Sequence, residues 1–162
     1  GTRLGSSARP IFTVFKNMDE VQQAVIRSAK MLYKEYVDQG LTEDPPFKGV
    51  GMQYILFSIH EPKLFQLLFM TEQPQMPDFS GVLPVIEESY EKILLSIQES
   101  YGINEARAKK LYHHLWIYTH GIATLCATKT CRFTGAEISS MLTEVFTSLL
   151  KNGKEAENSD KN

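Results

Sequence analysis

Residues 2–17, TRLGSSARPIFTVFKN, decide how the rest of this chain is read. The stretch carries Arg3, Arg9 and Lys16 and no acidic residue, in a chain whose formal net charge is -2. The remaining 14 basic residues are set against 19 acidic ones, so attraction to a polyanion is confined to this N-terminal edge. The pattern fits the second half of a helix-turn-helix. Gly5 supplies the turn, Ser6 or Ser7 the N-cap, and Pro10 sits in the first helical turn, where proline is tolerated. Ile11, Phe12 and Phe15 would anchor the short helix. The recognition helix would be residues 7–15, with Arg9, Thr13 and Lys16 as the DNA-facing groups. A serine-capped apolar helix with no DNA-reading role has the same local pattern, and the stretch alone leaves both readings open.

Beyond it, nearly every segment has a helical period. Val21, Val25, Ser28/Ala29, Leu32 and Tyr36 form one stripe over residues 18–38. Asn17 with Glu20 predicts a capping box at the start, and Gly40 a stop. A second helix is expected from about Phe47 to His60, and Pro62 should break it and open a short third helix through Met70. TEQPQMPDFSG (71–81) reads as a loop. Residues 82–101 are expected to form one helix, with Val82, Ile86, Tyr90, Ile93/Leu94 and Ile97 inward and Gly102 ending it. Asn104 caps a helix to about Thr128, and TGAE (134–137) is a capping box for a helix to about Lys151. The remaining NGKEAENSDKN reads as a polar, frayed tail. No strand-length alternation is present, so the fold class is all-α.

A chain of 162 residues suffices for one domain with a real core. Its two cysteines, Cys126 and Cys131, form no CxxC pair, which argues against a disulfide framework and against a zinc site. No apolar run approaches the ~20 residues of a membrane span, and no secretory leader pattern is visible. The expectation is a cytoplasmic protein without a membrane partner.

The stretch LGSSARPIFTVFKNMDEVQQAVIRSA (4–29) resembles the recognition helix and following linker helix of TetR-family transcriptional regulators. The junction Phe15-Lys16-Asn17-Met18-Asp19-Glu20 carries the likeness most specifically. YILFSIHEPKLFQLLFM (54–70) resembles that family's helix, proline break and Leu/Phe-rich short helix, and LWIYTHGIATL (115–125) its Trp…His-Gly run. The three motifs stand in the family's order, and the likeness covers residues 3–150. It implies a TetR-like helical bundle in which residues 1–17 are a remnant of the helix-turn-helix domain. Residues 18–151 would be the ligand-binding and dimerisation domain, and residues 152–162 the tail. The chain departs from the family by starting almost at the turn, without the two helices that normally precede it. As written it is therefore not expected to select a DNA sequence. The implied function is that of a ligand-responsive regulator, a repressor released from operator DNA by a small apolar or aromatic effector. A helical dimerisation module with no small-molecule ligand is the alternative.

Phe57, Phe65, Phe69, Met70, Tyr90, Leu94 and Trp116 are large apolar residues on four predicted helices and are candidate pocket residues, each of which would serve equally as core. His120, one helical turn after Trp116, either orients a ligand's polar group or bonds to a neighbouring helix. His113 and His114 diverge by about 100° on a helix and cannot chelate together. No metal or cofactor is expected. The last two helices carry surplus apolar surface: Ile117, Gly121 and Thr124 on one, and Met141, Leu142, Val145, Phe146, Leu149 and Leu150 on the other. Family precedent places these helices against their twofold mates in a homodimer. An enzyme would have to use Cys126 or Cys131 with His120; no acid–base pair or phosphate loop accompanies them, and the chain is read as non-enzymatic.

Overall fold

The computed structural model describes residues 17–161, with side chains through Gly153. The expected recognition helix, with Arg9, Thr13 and Lys16, lies outside the described residues. Seven helices follow one another: α1 (Met18–Leu41), α2 (Pro46–His60), α3 (Pro62–Phe69), α4 (Val82–Ile86), α5 (Tyr90–Tyr101), α6 (Glu105–Ala127) and α7 (Gly135–Lys161). There is no strand among the described residues, so the all-α class is correct.

The helix starts follow from local chemistry. Asn17 accepts the Glu20 N–H at 2.9 Å and Asn104 accepts the Arg107 N–H at 2.8 Å, each satisfying a donor that an α-helix leaves orphaned. Thr134 and Glu137 form a reciprocal capping box: the Thr134 N–H donates to Glu137 Oε1 at 2.8 Å, and the Glu137 N–H to Thr134 Oγ1 at 3.1 Å. Pro46 and Pro62 occupy first turns, where a missing N–H removes no hydrogen bond. Gly102 ends α5 in the left-handed region at φ 61°.

α2 is apolar on all sides and is accordingly the central helix, packed against α1, α3, α5, α6 and α7. Its approach to α1 corrects two sequence expectations. Gly40 does not stop α1: it lies buried inside the helix, which ends at Leu41 with Thr42 as C-cap. A Cβ on Gly40 would meet the Gly49 and Val50 backbone at 2.7 Å, so the two glycines allow backbone-to-backbone packing. That contact sets the rotation of α1. Ala29, Tyr33, Val37 and Gly40 point inward, while Val25 is 43% exposed and Leu32 and Tyr36 are half-buried. The expected stripe was off by about one position.

Two further boundaries differ. Residues 82–101 are two helices, because the backbone turns extended at Glu87 (φ -115°, ψ 105°). The break lets the Glu87 carboxyl turn inward, where it bonds Tyr33 and the Ser89 N–H. The last helix does not fray at Lys151 but continues to Lys161. Arg107 of α6 reaches across to donate to the Leu150 carbonyl at 2.7 Å, and its guanidinium lies beside Gly153. The backbone beyond the expected end is thereby braced against α6.

Candidate ligand cavity

The centre of the bundle is aromatic. Tyr33 of α1 packs against Phe69 of α3 at 4.8 Å between ring centroids and against Phe57 of α2 at 5.3 Å. Tyr54 of α2 meets Phe65 at 5.3 Å and Phe69 at 5.1 Å. On the far side, Phe47 meets Tyr112 of α6 at 5.5 Å, and Tyr101 meets Phe146 of α7 at 4.7 Å. Rings of this size on six helices cannot all interdigitate around one point. They leave a cavity of about 250 Å³, room for a small organic molecule.

Phe47, Val50, Gly51 and Tyr54 of α2 form one wall, and Tyr112, Leu115, Trp116 and Thr119 of α6 a second. Leu142, Thr143 and Phe146 of α7 close one side; Tyr33, Phe69, Leu83 and Ile86 close the other, with Tyr101, Pro45 and Lys48 also on the lining. The lining is overwhelmingly apolar, with one carboxylate in it, Glu87. A smaller hollow of about 90 Å³ shares Tyr33, Phe69, Ile86 and Glu87 with the main cavity and is flanked by Lys30, Lys34 and Glu88.

Glu87 is 6% exposed. Its Oε1 accepts the Tyr33 hydroxyl at 2.5 Å and its Oε2 the Ser89 N–H at 3.2 Å. Burial pushes its pKa above the ordinary carboxylate range, opposed by those two hydrogen bonds, and the nearby Glu88 charge pushes the same way as burial. Burial, then the Glu87 charge, holds the Tyr33 and Tyr112 hydroxyls well above their usual range. Tyr54 is raised too, by burial first. All three are neutral hydrogen-bonding groups at any ordinary pH.

Of the sequence-derived pocket residues, Phe69 and Trp116 stand on the cavity lining. Phe57, Phe65 and Leu94 are enclosed core at 0%, 0% and 2% exposure and are not among the lining residues. Tyr90 lies one layer out, its ring 5.5 Å from that of Tyr112 and nearly parallel to it. Met70 is exposed at the end of α3. His120 sits behind the wall: its Nδ1 pairs with the Tyr54 hydroxyl at 2.8 Å, and its ring stacks on Trp116 at 5.2 Å. Burial lowers its pKa, favouring the neutral ring. His120 thus positions Tyr54 and Trp116, both of which line the cavity.

The sequence reading missed Tyr33, Phe47, Tyr54, Tyr101, Tyr112 and Glu87. Pro84 inside a supposed long helix, followed by the N-cap-type Ser89, was the available sign that the chain breaks near Glu87.

The surfaces expected to pair divide in two. On α6, Ile117 is 50% exposed, Gly121 is exposed with nothing within 4 Å of a built Cβ, and Leu125, one turn on, is 38% exposed. Thr124 beside them is half-buried. On α7, Met141, Val145, Phe146 and Leu149 are half-buried against their own core, and Phe146 is on the cavity wall.

Cys126 is half-buried and burial pushes its thiol pKa up, away from a reactive thiolate; Cys131 is exposed. Among the described residues, no three His, Cys, Asp or Glu side chains come together as a metal ion would need, and no helix is long and apolar enough to cross a membrane.

The described residues form an all-helical bundle built around an aromatic cavity, with one buried acid among them, Glu87. Comparison with protein-family models, curated proteins and solved structures gave no match to this chain.

Proposed function

We propose that this chain is the ligand-sensing and dimerising part of a TetR-like transcriptional regulator. The single observation that carries the sensor reading is the cavity of about 250 Å³ lined by side chains from all seven described helices. A domain with only a structural task gains nothing by leaving its centre unfilled, since each void forfeits packing energy.

The route from cavity to DNA would be α1. Tyr33 lines the cavity, and the helix begins at Met18, beside the junction motif that resembles the family's link to its reading head. Roughly 24 Å of continuous helix separates Asn17 from Tyr33 at 1.5 Å per residue. A ligand favouring one setting of Tyr33 against α2 and α3 would thus bias the angle at which α1 leaves the bundle. Effector binding then shifts the population toward a conformer whose two reading heads no longer match successive major grooves. The exposed Ile117, Gly121 and Leu125 row supports a homodimer through α6, because an apolar helix face left in water is unfavourable and Gly121 permits close approach.

The test has two arms. Small apolar and aromatic compounds should raise the melting temperature by mass action on the native state and shift the emission of Trp116, the only tryptophan. A broad panel that moves neither signal would leave the helical dimeriser as the better reading. Selection of random duplexes with the gene's full translated product should enrich a palindromic site that an active compound releases. Enrichment of nothing would remove the regulator reading.

A further inference from the structure

We propose that the cavity takes an organic cation: an aromatic or alkyl group bearing a permanent or protonated amine, held in the ring-lined space with its positive charge toward Glu87. The proposal rests on the sensor reading above and adds the chemical class of the ligand.

Glu87 is more than nine-tenths buried, and it is the carboxylate on the lining of the main cavity. Its two hydrogen-bond donors, the Tyr33 hydroxyl and the Ser89 N–H, are neutral. Neutral donors offset part of the cost of burying a charge but supply no countercharge. The lysines nearest the smaller hollow are committed elsewhere: Lys30 to Glu88 at 3.4 Å and Lys34 to Asp38 at 2.7 Å. Lys48 lines the main cavity on α2, and no described ion pair joins it to Glu87. The neighbouring charge that acts on the Glu87 carboxyl is another acid, Glu88. Among the described residues, no ion pair therefore joins the Glu87 carboxylate to a cation of the protein.

The rest of the lining suits the same ligand. Tyr33, Tyr54, Phe69, Tyr112 and Trp116 contribute aromatic side chains to the lining, and aromatic rings attract cations most strongly where water is excluded. An anion would meet both the ring faces and Glu87 unfavourably. A neutral hydrocarbon would gain burial but leave the carboxylate's charge unbalanced.

Phenyltrimethylammonium and tert-butylbenzene are nearly equal in shape, differ by one charge, and contain no titrating group. Calorimetry at about pH 8 should give the cation a dissociation constant at least about tenfold lower than that of the hydrocarbon. Glu87→Gln keeps an acceptor for Tyr33 and removes the charge; it should abolish that preference, so that the two compounds bind the variant with similar dissociation constants. The groups that bond Glu87 are Tyr33 and Ser89, those coupled to its charge are also Tyr54, Tyr112 and Glu88, and Lys48 stands on the lining with Lys30 and Lys34 beside the smaller hollow. Toward acid, only the carboxyls lose charge, while His120, behind Tyr54, gains one. Cation binding should weaken as pH falls through the raised Glu87 pKa, tert-butylbenzene binding should stay level, and Glu87→Gln should flatten the cation profile. A profile that persists in Glu87→Gln assigns the effect to His120 and overturns the role of Glu87. If tert-butylbenzene binds as well as the cation, the cation proposal fails and the sensor reading stands. If neither binds, both fail. The wild-type ratio alone decides the matter should Glu87→Gln not fold.

Discussion

Adding one methyl group at Gly49 tests how α1 and α2 are held together. In Gly49→Ala the new Cβ would fall on the Gly40 carbonyl oxygen and 2.6 Å from the Glu43 Cβ. Neither is the far end of a flexible side chain, so relief requires the helices to separate. Overpacking costs about 1–3 kcal/mol, and backbone overlap belongs at the top of that range. Alanine returns about 1 kcal/mol as the better helix former. The net is about 2 kcal/mol of destabilisation, or a fall of roughly 4–8 °C in Tm for a domain of this size. Gly51→Ala, on the same helix, is the internal control. Its Cβ would meet Leu142 Cδ1 at 3.4 Å, an ordinary contact, so it should melt at or slightly above the wild-type temperature. Thermal melts by far-ultraviolet circular dichroism compare the three proteins directly. A Gly49→Ala protein that melts as high as Gly51→Ala would refute the backbone-to-backbone crossing, and with it the account of which face of α1 turns inward.

Glu87→Gln should stabilise the protein at neutral pH. The folded-state pKa of Glu87 is raised by burial, so the cost of holding it ionised is absent below the ordinary carboxylate pKa and grows as pH rises through the folded value. The Tm gain of the variant should therefore vanish below about pH 4, and a gain independent of pH would contradict the burial argument. Trp116→Ala should cost no more than about 3 kcal/mol in a denaturant titration, below the range for a fully buried tryptophan, because Trp116 is only half-buried. Thr134→Ala removes the hydroxyl that accepts the Glu137 N–H and should cost about 1 kcal/mol; an unchanged Tm would show that the box contributes nothing to α7. Gly121→Ala fills open space within the protomer and should improve α6 by up to about 1 kcal/mol. If Gly121 lies at a close twofold crossing, the same change should weaken the dimer in light scattering, and an undisturbed dimer would place the crossing elsewhere.

Local sequence determined much of this protein. Asn17, Asn104 and the Thr134–Glu137 pair mark helix starts because each satisfies orphan N–H groups within a few residues of itself, and no distant partner is needed. Pro46, Pro62 and Gly102 mark boundaries for equally local reasons of backbone geometry. The all-α class followed from such signals. The rotation of α1 did not, because a helical period leaves the inward face uncertain by a position, and Gly40 reads identically as a terminator or as a close-packing residue. Its role depends on Gly49, a residue of another helix. The cavity divided in the same way. Phe69 and Trp116 reached its lining while Phe57 and Phe65 became solid core, since large apolar residues look alike in sequence whether they surround a void or fill one. Glu87 was hidden most completely: a Glu-Glu pair in a polar stretch reads as solvated surface. Only the extended turn after α4, which places one of the two carboxyls against Tyr33 of a distant helix, buries Glu87 and leaves Glu88 exposed.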